Sequence, residues 1–262
     1  MKLTRIVYRA LFACAAIMPI AQAHAAPDPN AIIQKADAAV KATLTTSKTY
    51  QATLEMTRSA GNQGSMAISI DLKVVPSTGK AFVNVAPVGK GTGQMAAAAA
   101  MMAMTIVDDG KTSYLYSPMQ GGYVKQAHHK IEVPDVFKLA SLKDVNLKYV
   151  RSDHVNGKPV HVIEATPKTT PPGTSQSILF FIDQSSNRPV QLTSSSSGTP
   201  KTGGPPMKVD MTISVRKEIM NASIPDSAFK FTPPAGAKEV QGGAAGMNPM
   251  GRMFGGSKAP GK

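Results

Sequence analysis

Tyr50-Gln51-Ala52-Thr53-Leu54-Glu55-Met56 and Met66-Ala67-Ile68-Ser69-Ile70-Asp71-Leu72-Lys73-Val74 decide the fold, because each places an apolar residue at every second position. Successive side chains of a strand point to opposite faces, so a period of two means one buried and one wet face, as in an antiparallel sheet. The Gly61–Gly64 stretch between the two runs reads as a turn. The same alternation recurs at Lys80–Ala86, Tyr114–Ser117, Val145–Val150, Val160–Thr166, Ile178–Asp183, Val190–Ser194 and Met207–Val215. Asp108-Asp109-Gly110, Asn156-Gly157 and Ser185–Arg188 before Pro189 supply turn chemistry between them. The pattern predicts a meander of hairpins.

Upstream the period changes. Asp28-Pro29 is a helix start, a capping carboxylate followed by a proline whose missing N–H costs nothing in the first turn. Ile32, Ile33, Ala36, Val40 and Leu44 then form one apolar stripe over about four turns. Two further helices are expected: Gln94–Met104, rich in alanine and methionine, and Asp135–Leu142 after Pro134. Pro167–Ser175 and Ser195–Pro206 read as Gly/Pro/Ser-rich connections. Residues 241–262, rich in Gly, Met and Pro, read as a disordered tail.

The first 25 residues have the three parts of a signal peptide. Lys2, Arg5 and Arg9 precede an apolar run from Ala10 to Ala21, and Ala21-Gln22-Ala23 and Ala23-His24-Ala25 are cleavage patterns. Cleavage is expected after Ala25. The run is shorter than the roughly 20 residues that a spanning helix needs. Export to the periplasm follows, and cleavage removes Cys14, the single cysteine. That excludes disulfides, thiolate metal sites and a cysteine nucleophile from the processed chain. Residues 26–240 then form one domain that rests on its core.

The chain carries 29 basic and 16 acidic residues; without the three basic residues of the leader the balance is 26 against 16. Such an excess suits an anionic membrane surface or plain solubility. Nucleic acid is not expected, because the lysines are scattered and no stacking-aromatic motif accompanies them.

No catalytic constellation appears. His128 and His129 are adjacent, His154 and His161 flank a predicted hairpin, and none lies in a pattern that supplies a nucleophile and an orienting acid. Neither an H-E-x-x-H nor a G-x-S-x-G string is present. A non-enzyme without cofactor is expected. Thioethers suit Cu(I), which makes Met247, Met250 and Met253 a metal-contact candidate. The second methionine cluster, Met95, Met101, Met102 and Met104, offers an adaptable apolar surface of the kind that covers a greasy cavity.

Several strings resemble a known family. Val107-Asp108-Asp109-Gly110-Lys111-Thr112 with Tyr114-Leu115-Tyr116-Ser117-Pro118 is similar to a hairpin of the LolA family, periplasmic carriers of outer-membrane lipoproteins. Ile224-Pro225-Asp226-Ser227-Ala228-Phe229-Lys230-Phe231-Thr232-Pro233-Pro234 resembles that family's closing strand. The resemblance covers roughly residues 31–240. It implies an α+β fold: a half-open antiparallel β-barrel of about 11 strands, with an N-terminal helix and inserted helices covering the concave face. It also implies a cavity for lipid or lipoprotein acyl chains; transient membrane contact is an expectation from the basic balance. Tyr50, Leu54, Met56, Ile68, Ile70, Leu72, Val74, Phe82, Met101, Met104, Tyr114 and Tyr116 are the candidates for that cavity and its lid. The family's arginine before a proline, which points into the cavity, is matched here by Val75 before Pro76. Arg58, on the same face as Leu54 and Met56, is the replacement candidate. Proteins controlling an envelope-stress anti-sigma factor share a similar domain, so the alternative is a sensory or regulatory module with a protein partner.

Overall fold

A computed structural model describes residues 26–89, 91–128, 144–199 and 206–240. The expected signal peptide, the Asp135–Leu142 helix, His129 and the methionine tail lie outside these residues.

The chain starts with α1 (Pro29–Thr46), capped by Asp28, whose carboxylate accepts a hydrogen bond from the Asn30 amide at 2.9 Å. Three strands follow: β1 (Tyr50–Ala60), β2 (Ser65–Val75) and β3 (Lys80–Pro87). Then come α2 (Gly93–Met101), β4 (Met104–Asp108), β5 (Thr112–Ser117) and β6 (Gly122–Ala127). The second half holds β7 (Val145–Val155), β8 (Lys158–Pro167), β9 (Thr174–Asp183), β10 (Pro189–Gly198) and β11 (Met207–Met220). A 3-10 turn, Asp226–Phe229, precedes the short β12 (Lys238–Glu239).

The twelve strands among the described residues form one sheet, in the order β12-β6-β5-β4-β3-β2-β1-β11-β10-β9-β8-β7. The two end strands have one neighbour each, so the sheet is open. Every pairing is antiparallel except that of β12 with β6. The sheet is two meanders, β1 to β6 and β7 to β11, sewn together where β1 pairs with β11.

Two readings needed correction. The Ala/Met helix stops at Met101, and Met104 opens β4, opposite Val85. Ser195–Ser197 are strand, not connection, because β9 and β11 supply partners on both sides and override a weak local preference. β6 and β12 bring the strands among the described residues to twelve, against the expected count of about 11.

Pairing register assigns the faces. One face carries Leu54, Met56, Ile68, Ile70, Leu72, Val74, Val83, Val85 and Met104, all buried in one cluster with Met95 and Ala99 of α2. In the other meander it carries Ile163, Ala165, Phe180, Ile182 and Leu192, clustered with Ile32, Ile33 and Ala36 of α1. The registers Leu54–Val215, Met56–Ile213, Ile213–Leu192, Leu192–Phe180 and Phe180–Ile163 show that these two stretches belong to the same face. Both described helices therefore lie on one side of the sheet. The opposite, outer face holds Val160, Val162 and Phe181 as a third cluster.

Candidate functional site

The helix face is the candidate site, and each helix is seated on it differently. α1 turns Ile32, Ile33 and Ala36 toward β8 to β10. Its last turn is tied down by a polar knot: Arg188 pairs with Glu218 and donates to the Thr43 hydroxyl, while the Tyr50 hydroxyl donates to Glu218 at 2.7 Å. Burial, then the Glu218 carboxylate, pushes the Tyr50 phenol well above its usual range. The phenol stays protonated and serves as a donor.

α2 depends on the backbone beneath it. Gly64, in the β1–β2 turn, has a φ of 95°, and a Cβ there would lie 2.1 Å from the Thr92 carbonyl oxygen. Only glycine permits that approach. The Ser65 amide donates to the Thr92 hydroxyl at 3.0 Å, fixing the entry to α2. Met95 and Ala99 then pack on β2 and β3.

Between the helices lies a strip that neither covers fully. Met211 packs against both core clusters, and Val209, Met211 and Ile178 are half-buried on the helix face. Ser194 and Ser196 of β10 stand beside them, opposite Met211 and Val209. Arg58, paired in register with Met211, is exposed at one margin of the strip.

Of the twelve proposed lining residues, Tyr50, Leu54, Met56, Ile68, Ile70, Leu72, Val74 and Met104 are buried on the helix face. They pack into the core beneath α2. Phe82, Tyr114 and Tyr116 fall on the outer face, because the registers Lys73–Phe82 and Val107–Tyr114 put Val83 and Leu115 inward instead. There Lys73 Nζ sits 5.2 Å from the Phe82 ring centre, and Tyr114 stacks on Phe231 at 4.9 Å. Met101 is 60% exposed at the end of α2. A depression of about 300 Å³, lined by Thr57, Arg58, Ser59, Ser65, Asp210 and Thr212 among others, shares Arg58 with the strip and contains none of the twelve.

The polar link among Thr43, Tyr50, Arg188 and Glu218 escaped the sequence reading because nothing local joins them. The Asp108–His128 contact did too: the carboxylate is fully buried, accepts from the Gly110 amide at 2.8 Å, and lies 2.7 Å from His128 Nδ1. It fixes a turn. His161 leans edge-on against Tyr149, and burial, with Lys35 nearby, depresses its pKa, so the ring is neutral at pH 7. Among the described residues no three His, Cys, Asp or Glu side chains are grouped to hold a metal ion. No described helix is long and apolar enough to cross a membrane.

No family model matches the chain. An uncharacterized protein of Methanocaldococcus jannaschii is 27% identical over 146 residues, 53% of this chain. The chain matches only 38% of that relative's length. Among solved structures, a LolA superfamily protein from Nitrosomonas europaea is similar over 79% of this chain and 99% of its own, at 11% identity and a TM-score of 0.33. The lipoprotein LppX of Mycobacterium tuberculosis is similar over 76% and 99%, at 10% identity and a TM-score of 0.39. The Pseudomonas aeruginosa MucA/MucB complex is similar over 75% of this chain and 61% of the matched chain, at 15% identity and a TM-score of 0.39.

Proposed function

We propose that this protein is a periplasmic, non-enzymatic carrier or binding protein for lipid or lipoprotein acyl chains, held on the helix face between α1 and α2. Export by residues 1–25, with cleavage after Ala25, belongs to the same reading. One observation carries it: two helices sit on the same side of an open sheet over separate cores, and the apolar strip between them around Met211 is left half-buried. An alkyl chain laid along such a strip gains about 0.8 kcal/mol per methylene removed from water. The serine hydroxyls of β10 and the Arg58 guanidinium border the strip and are suited to a polar headgroup. The sequence strings that resemble the LolA family imply the same cargo.

The test is lipid content. Organic extraction of the exported protein followed by mass spectrometry is expected to release bound lipid, and a fluorescent fatty acid is expected to bind saturably. Met211→Gln, similar in volume but polar, is expected to weaken that binding about tenfold. Phe82→Gln, on the outer face, is expected to leave it unchanged. Absence of both extracted lipid and saturable uptake rejects the reading.

A further inference from the structure

We propose that the sheet end built by the β1–β2, β3–α2–β4 and β5–β6 connections is a docking rim that seats the protein on a lipid surface bearing anionic headgroups. The inference goes beyond the acyl-chain reading and does not need it.

Six large apolar side chains are exposed among the described residues, and four of them gather at one end of the sheet, with Val150 at 38% and Met220 at 43% lying elsewhere. Val88, Met101, Met119 and Val240 are 40%, 60%, 62% and 41% exposed. Val88 follows the last residue of β3 and bonds to the Ala67 carbonyl near the start of β2. Met101 ends α2, just ahead of β4, and Met119 stands in the Pro118–Gln120 turn between β5 and β6. Val240 lies beside Gly122, where β6 begins. Antiparallel pairing from β1 to β6, with the parallel pairing of β12 on β6, brings all these points to the same end of the sheet. With strands about 4.8 Å apart, the row from β3 to β12 is about 19 Å long.

Charge is distributed to match. The segments 56–70, 85–105 and 115–124 contain no Asp or Glu, and Arg58 is exposed among them. Asp210, opposite Ser59, and Glu239, beside Val240, are carboxylates at this end, while Asp108 and Asp109 after β4, Asp183 closing β9, and Asp226 lie at the other. Without the leader, 26 basic against 16 acidic residues leave a formal charge of +10, which adds long-range attraction to an anionic surface.

Shape selects the occupant. The four side chains stand on separate tight connections and form a row of tips. A protein partner needs a flush surface of about 800 Å² per side. A bilayer interface accepts a row of tips, each entering by about 5–10 Å, and unbranched methionine adapts to it.

The chain contains no tryptophan, so single introduced tryptophans report position directly. The exported, processed protein is mixed with vesicles of equal parts phosphatidylglycerol and phosphatidylcholine, with brominated phosphatidylcholine as the quencher. M119W and M101W are expected to be quenched about threefold or more, while V150W on β7 and M220W at the opposite sheet end keep their emission. Vesicles of phosphatidylcholine alone, or high salt, are expected to lower the bound fraction about tenfold. M101E/M119E is expected to lose binding about tenfold in co-flotation while keeping its circular dichroism. Equal quenching at all four positions, or none at M119W and M101W, overturns the proposal. A lipid-independent, concentration-dependent blue shift of M119W without quenching would assign the rim to a second copy and overturn it too. None of these readouts depends on bound cargo, so failure here leaves the acyl-chain reading to its own test.

Discussion

The two helices on the same sheet face are secured in opposite ways. α1 carries its own instructions: the Asp28 cap, a proline in the first turn, an Asp37–Lys41 pair at 2.6 Å, and a stripe of isoleucines. α2 has high alanine propensity but no side-chain cap, and it rests on a glycine turn belonging to other elements. A locally specified helix is legible in sequence; a helix specified by its seat is legible only as a tendency. That is why α1 is read at nearly its true length, while the Ala/Met helix is read three residues too far, into β4.

The strongest challenge to the comparison is to empty each core in turn. Ile70→Ala beneath α2 and Ile163→Ala beneath α1 remove side chains that are almost completely buried. Each is expected to cost about 3 kcal/mol in denaturant unfolding. A single transition that shifts for both means that the β1–β11 seam makes the two halves one cooperative unit. Two transitions, each sensitive to one substitution, would break that picture.

Asp183 sharpens the contrast between the meanders through acid stability. Burial opposes ionisation of its carboxylate, but the hydroxyls and amides of Ser185 and Ser186 outweigh it and hold the pKa down to about 2. A carboxyl lowered on folding stabilises above its unfolded value, near 3.9, and that contribution is lost as pH falls toward 2. Asp183→Asn is expected to cost about 2 kcal/mol at pH 7 and to flatten the stability slope between about pH 4 and pH 2, as measured by unfolding at stepped pH. An unchanged slope would remove Asp183 as its source.

The helices themselves give the smallest and most local effects. Gly64→Ala is expected to cost about 1–2 kcal/mol and to raise hydrogen exchange over Gly93–Met101, leaving α1 protected. Asp28→Ala is expected to cost about 1 kcal/mol and to do the reverse. If either change loosens both helices equally, their independence is lost.

Much of the sheet was readable from period two alone, since Tyr50–Met56 and Met66–Val74 have one apolar and one polar face. Parity failed where both faces carry apolar groups. In Lys80–Val85, Phe82 and Val83 compete for the inside, and only pairing with β2 puts the smaller residue inward. Tyr114-Leu115-Tyr116 poses the same ambiguity, settled by Ile106 opposite Leu115. On the outer face Tyr114 stacks on Phe231 and Tyr123 tilts against it, a partner more than a hundred residues away that no local pattern reveals. The serine run of β10 hid a strand because its stability comes from neighbours on both sides. The strip around Met211 was likewise invisible, since it exists only where two helices stop short of each other.

The β1–β11 seam has a consequence in time. It pairs Ala60 with Val209 and Tyr50 with Met220, whereas every other antiparallel pairing joins strands close together in the chain. Hairpins of each meander need only short loops to close, but the seam must wait until the far end of the chain is present. A growing or threading chain therefore holds partial meanders, each with an unpaired edge, and joins the two only when β11 arrives. Tuning how long those edges stay open is a way to set folding speed without touching either helix.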